Sequence, residues 1–283
     1  MNTKKRNLSL LCGTILTALI LASCANDSST VETSAQDLTE VASQLQALGF
    51  HTENLFASTL NGKEGYVVEG DIFLTREQIA ALAPRISVEN NNTVNTEHYR
   101  TNNIVSAPRT LSIYMDVEFR APAQAAFDDA LARYNALGLD LTFVRSNTAG
   151  ADIDILAERL GRVPGGGLIL GQSAGFPDAN GDPATPIILN SAVYNPRRGN
   201  PPADIVTVIA HEIGHAIGFR HTDYFNRSFS CGSGGDEGAG SVGAVYIPGT
   251  PAGPENGSWM LACSNGSDRP FTSGDQTALT TVY

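Results

Sequence analysis

"HEIGHAIGFRHTD", residues 211–223, decides how this chain is read, because it holds three of the five histidines in a sequence of 283 residues. On a helix His211 and His215 lie one turn apart and project from one face, so their imidazoles can share a metal ion. Around them Ile205, Val208, Ile209, Ile213, Ala216 and Ile217 are apolar, while Asp204, Thr207, His211 and His215 form one polar stripe. A largely buried helix with such a stripe lines a site. Gly218 stands where a left-handed residue ends a helix and turns the chain back, which lets His221 reach the same ion. Three imidazole nitrogens leave a tetrahedral zinc with an open position for water. Glu212, beside a ligand and not needed as one, is suited to take a proton from that water and return it to a departing amine. A bare HExxH arises by chance, but the added glycine and third histidine at fixed places lower that chance by about a thousandfold. A structural zinc is the competing reading, although such sites usually close with protein ligands at every position.

The flanking sequence predicts strands and helices in alternation. "TLSIYMDV" reads as a strand, "AQAAFDDALARYNALG" as an amphipathic helix closed by Gly138, and "LDLTFVRS" and "ADIDIL" as two more strands. "GLILGQ" and "PIILNSAVY" continue the strands up to a helix over 203–217, and "TSGDQTALTTVY" predicts a last helix capped by Ser273 or Asp275. Such an order gives an α+β fold, a mixed sheet packed on helices. Nearer the start, Leu38, Val41, Leu45 and Leu48 recur at helical spacing, "YVVEGDIFL" (66–74) is a strand with a turn inside it, and Thr75 with Gln78 forms a capping box. A polar stretch at 88–98 separates this part from the rest.

The 211–223 stretch resembles the metzincin clan of zinc peptidases, and "HEIGHAIGF" is most similar to the HEIGH-type metallopeptidases and the neighbouring astacins. The resemblance covers residues 108–283. It implies a twisted mixed sheet, a zinc cleft between an N-terminal and a smaller irregular C-terminal subdomain, and zinc held by His211, His215 and His221. It also implies a methionine turn beneath the metal, for which "GSWML" supplies Met260, and a cleft-edge strand at "GLILGQ" on which an extended peptide pairs. Two positions depart from the astacins: Thr222 and Asp223 stand where a glutamate is expected after the third histidine, and Ala262 where a tyrosine follows the methionine. "VVEGDI" resembles the FxGD motif of astacin propeptides, which makes Asp71 the candidate for a carboxylate on the open metal position; a plain turn at Gly70-Asp71 is the alternative.

The first residues, "MNTKKRNLSLLCGTILTALILASC", combine a basic start with an apolar run too short to span a membrane. Leu21-Ala22-Ser23-Cys24 resembles a bacterial lipobox, so we expect a signal peptide at 1–23, acylation of Cys24 and a tether over 24–35; an ordinary secretory leader is the alternative, and both mean export. Removing Lys4, Lys5 and Arg6 with the leader takes the formal net charge from −11 to about −14, which argues against a nucleic-acid partner. Cys231 and Cys263 then remain as a pair in an oxidising compartment and are expected to form a disulfide. The predicted organisation is a propeptide-like region at 36–107 and a catalytic domain at 108–283. The predicted function is that of an exported zinc endopeptidase, a monomer touching membrane only through its lipid, that hydrolyses proteins or peptides. A non-catalytic surface-binding lipoprotein on the same scaffold is the alternative. "DANGDP" (178–183) lacks the glycine and glutamate placement of a calcium loop and is read as a turn. "GRVPGGG" lacks the ending of a phosphate loop and is read as a surface loop. Glu237 suggests a rival third ligand in place of His221.

Overall fold

The computed structural model describes residues 35–82, 98–164, 166–238 and 242–283. The expected leader, Cys24 and the tether up to residue 34 lie outside the described residues. Among the described residues no helix is long and apolar enough to cross a membrane.

The N-terminal part runs α1 (Ala35–Ala47), β1 (Phe56–Leu60), β2 (Lys63–Val68), β3 (Ile72–Leu74) and α2 (Arg76–Ala81). After the short β4 (Tyr99–Arg100) come β5 (Arg109–Met115), α3 (Ala121–Asn135), β6 (Leu141–Ser146), β7 (Ile153–Glu158), β8 (Gly171–Ser173) and β9 (Ile187–Asn190). The chain closes with α4 (Ser191–Tyr194), α5 (Ile205–Ile217), α6 (Ser228–Cys231), β10 (Val245–Tyr246) and α7 (Ser273–Val282).

Eight strands form one mixed sheet in the order β1-β2-β3-β8-β9-β7-β5-β6. The β5–β6, β5–β7 and β7–β9 pairings are parallel, the first joined by the crossover through α3, and β8 lies antiparallel to β9. α3 and α5 bury Phe127, Tyr134, Ile209 and Ile213 against Leu111, Ile113, Ile155 and Leu189 of the sheet. A second cluster joins Val41 and Leu45 of α1 to Tyr66, Val68 and Ile72 of the β2–β3 hairpin. The N-terminal hairpin therefore does not float. Its β3 pairs parallel with β8 at Ile72 and Ser173, extending the sheet.

Several local expectations change. "SAVY" is helical, because the Asn190 side chain accepts from the Ala192 N–H at 3.0 Å and ends the strand as a cap. Of "GLILGQ" (167–172) only Gly171 and Gln172 lie in a strand, β8. Thr272 caps α7, with Asp275 as its capping-box partner rather than the cap itself. The loop at 178–182 is a turn closed on Asp178, whose Oδ1 accepts from the Asn180 and Asp182 N–H groups at 2.8 and 2.9 Å. Residues 98–107 pack on the body that carries the histidines. His98 bonds Asp275 at 2.7 Å, the Arg220 N–H donates to Tyr99 O at 2.9 Å, and Val105 is buried in the main core.

Cys231 and Cys263 form a disulfide between positions 32 apart. A loop of that length is worth about 3–4 kcal/mol on the loop-entropy account. It ties the segment after the third histidine to the segment after Met260.

Candidate metal centre and cleft

Helix α5 places the first two histidines and Glu212, and nearly every residue of it is buried. Its end is set by Gly218 at φ 111°, where the left-handed conformation reverses the chain. Gly214 has a second reason: a Cβ there would lie 2.5 Å from Met260 Sδ, so only glycine lets the methionine turn pack against the helix beneath the histidines. The Thr222 N–H donates to Met260 O at 3.0 Å and holds that turn to the segment of the third histidine. His211, His215, His221 and Asp71 come together as one buried group able to hold a metal ion.

Each imidazole is oriented from behind. His211 Nδ1 donates to Trp259 O at 2.9 Å and His215 Nδ1 to Phe219 O at 2.9 Å, while His221 Nδ1 lies 2.5 Å from Glu237 Oε1. With the Nδ1 positions serving as donors, the Nε2 lone pairs face one another. His215 Nε2 and His221 Nε2 are 3.2 Å apart, and Asp71 Oδ2 lies 3.0, 3.5 and 3.9 Å from the Nε2 atoms of His221, His211 and His215. Converging acceptors repel unless a cation lies between them, so the donor set fits a divalent metal with imidazole and carboxylate ligands.

The electrostatics agree. Burial pulls His211 down to about 4 and also lowers His215, which keeps both imidazoles in the neutral, ligating form at pH 7. Burial pulls on His221 as well, but the Glu237 and Asp71 carboxylates outweigh it and raise the imidazole well above its usual value, a field that favours positive charge at this point. For Asp71, burial is opposed by the charge at His221 and by the three imidazoles that surround it, and its carboxyl is held well below the usual range.

Glu212 lies beside this group, 2% exposed, with Oε2 lacking any partner among the described residues. Burial first, and the Asp71 charge second, push its carboxyl well above the ordinary carboxylate range. A Cβ on Gly171 of β8 would come within 2.4 Å of Glu212 Oε1, so glycine keeps this carboxylate's place open. A cavity of ≈ 770 Å³ extends from here, and the "GRVPGGG" loop, read as surface, lines it through Val163, Pro164 and Gly167.

Asp71 arrives on the β2–β3 turn. Glu69 and Gly70 have φ of 59° and 97°, and the tight reversal brings Asp71 to the histidines. The Ser173 N–H donates to Asp71 O at 2.9 Å, so the hairpin occupies the edge of the strand expected to pair an extended peptide. A second lock was not legible in the sequence: Glu69 is buried against Arg220, whose Nη2 is 3.1 and 3.2 Å from the two carboxylate oxygens. Arg220 also lies 5.9, 5.8 and 5.0 Å from the ring centres of Phe50, Phe176 and Tyr224.

Glu237 is not in the position of a third ligand. It stands behind His221 on Nδ1, paired also with Arg227 and 3.6 Å from Arg220, and although burial opposes it, His221 and Arg227 bring its carboxyl down to about 2. Replacing Glu237 by glutamine is expected to weaken metal binding by about 10–100-fold without unfolding the chain, measured by competition with a chromophoric chelator. An affinity within twofold of the original would show that His221 needs no such support. Asp223 explains one departure from the astacin pattern. Its Oδ1 accepts from the Ala262 N–H at 2.9 Å and its Oδ2 from Ser230 Oγ at 2.5 Å, so it fastens the exit of the methionine turn.

No curated protein matches the chain. Two solved structures of myroilysin are similar to it: one at 11% identity over 64% of this chain and 86% of that chain, the other at 9% over 64% and 82%, both with a TM-score of 0.39. The sequence profile of the dual-action HEIGH metallo-peptidases matches residues 66–283, a span that includes both the histidine motif and the Asp71 hairpin, and the chain belongs to that family.

Proposed function

We propose that this metallopeptidase is an exported zinc endopeptidase held latent by its own N-terminal hairpin. The observation that carries the reading is the convergence of three Nδ1-anchored imidazoles on one point with the buried Glu212 carboxylate beside it. His211, His215 and His221 hold the metal, and Met260 packs beneath them. A zinc ion bound there supplies Lewis acidity to a water and to the peptide carbonyl.

Glu212 takes the proton from the attacking water and delivers it to the departing amine nitrogen, so one residue serves as base and then as acid. The edge of β8 aligns an extended peptide by main-chain hydrogen bonds once the hairpin no longer occupies it. Asp71 and the Ser173 pairing keep the cleft filled in the uncut chain. In this reading the leader directs export and Cys24 carries a lipid tether until the chain is cut between the hairpin and residue 98.

The test is a full chain with a specific protease site built into residues 88–97, loaded with zinc and offered an unstructured protein. Internal fragments are expected after the cut, none after treatment with a chelator, and full recovery when zinc is returned. A cut, zinc-loaded chain that produces no fragments overturns the peptidase reading.

A further inference from the structure

Arg227 lines the cavity beside the metal group, and its backbone is fixed from both sides. The Cys231 N–H of α6 donates to Arg227 O at 2.9 Å, and the Arg227 N–H donates to Gly235 O at 3.1 Å. Gly234, at φ 102°, lies so close that a Cβ there would be 3.0 Å from Arg227 Cβ. The side chain is 12% exposed; its Nη1 is paired with Glu237 and lies 3.5 Å from His221 Nδ1. Nη2 makes no hydrogen bond among the described residues and faces the hairpin instead: a Cβ on Gly70 would lie 3.6 Å from it, one residue before the carboxylate among the three imidazoles. Burial opposes the charge of Arg227, but the Glu237 and Asp71 carboxylates outweigh it and raise the guanidinium above its usual value. When the hairpin leaves, Asp71 leaves with it. The guanidinium then keeps Glu237 on one edge and turns a free donor to the place that a peptide takes. Ala262 lines the same cavity and, standing where the astacin pattern has a tyrosine, offers no side-chain donor.

We propose that Arg227 is a catalytic residue that donates to the oxygen of the scissile carbonyl as negative charge develops there, an inference that rests on the peptidase reading above. The water oxygen bonds to the carbonyl carbon, the C=O π pair moves onto the carbonyl oxygen, and Glu212 takes a proton from the water. Nη2 holds the new charge by a charge-assisted hydrogen bond until that pair returns, the C–N bond breaks and the amine leaves with the proton from Glu212. A donor held in place beforehand stabilises such charge without reorganisation, and the pairing of Nη1 with Glu237 does the holding. The same nitrogen faces the hairpin in the uncut chain and the substrate in the cut one.

The test uses the cut full chain at saturating zinc, with bound zinc counted in each sample. Its probes are a peptide substrate and a phosphinic peptide of the same sequence, whose tetrahedral phosphorus carries a charged oxygen where the carbonyl oxygen stood. Arg227→Gln is expected to lower kcat by about 10²–10³ with KM within about threefold. Affinity for the phosphinic peptide should fall by the same factor, because that ligand shares the charge of the transition state and the substrate does not. Arg227→Lys should recover part of both, keeping the charge and losing the planar fork. An arginine that only anchors Glu237 would change zinc affinity and leave kcat and phosphinic affinity of the zinc-saturated chain within about threefold of the original. That result overturns this inference and leaves the peptidase reading standing, as does a loss confined to KM. If Arg227→Gln fails to fold, Arg227→Lys decides: matched losses of about fivefold or more in kcat and phosphinic affinity are expected, and any other pattern overturns the inference. No cleavage by the unaltered cut chain overturns the peptidase reading and this inference with it.

Discussion

Glu212→Gln is expected to lower kcat/KM by about 10²–10⁴ while the chain keeps its zinc and its melting temperature, because glutamine fills the same space and can neither accept nor return the proton. The geometry makes the change isosteric where it matters. Gly171 leaves the same space for the glutamine as for Glu212, and Oε2 has no partner among the described residues to lose. Stability is not expected to suffer, since a buried carboxyl already pushed towards its neutral form is replaced by a neutral amide of the same shape. Metal content and activity must therefore be read from the same sample. Retained zinc with lost hydrolysis assigns the proton work to Glu212. Retained hydrolysis sinks that role, and loss of zinc makes Glu212 part of the metal's surroundings instead.

The metal group was legible because its residues are local. Spacings of four and six residues, with a glycine between them, fix helix, reversal and third ligand without reference to the rest of the chain. Met260 followed from the resemblance to the metzincin methionine turn, and the reason for Gly214 is visible only with that turn packed against the helix. Glu237 illustrates the limit. In a glycine-rich segment no periodicity assigns a side chain to the interior, so its acidity was noticed while its place behind His221 was not. The Glu69–Arg220 pair joins residues 151 apart in sequence, and neither position carries a local signal for the other. The contacts of residues 98–107 likewise carry no local signal: Thr101 and Tyr99 share backbone hydrogen bonds with Gly218 and Arg220, the His98 side chain bonds Asp275, and the Val105 N–H donates to Tyr283 Oη.

Asp71→Ala is expected to raise the activity of the uncut, zinc-loaded chain by about 10- to 150-fold, the equivalent of losing one charge-assisted anchor worth about 1.5–3 kcal/mol. The gain should stop short of the activity of the cut chain. Removing the carboxylate vacates the point where the three imidazoles meet, but the hairpin stays paired to Ser173 and Glu69 remains buried against Arg220. Adding Glu69→Ala should carry the activity further, and the two effects should be coupled rather than additive, because both residues hold the same three-residue turn. A cobalt-substituted chain gives a readout that does not depend on turnover: replacing Asp71 exchanges a carboxylate for water on the metal and should shift the visible bands. Unchanged bands together with unchanged activity would mean that Asp71 merely closes a turn near the metal. Shifted bands with unchanged activity would place Asp71 on the metal but assign latency to the strand pairing and to the Glu69–Arg220 lock.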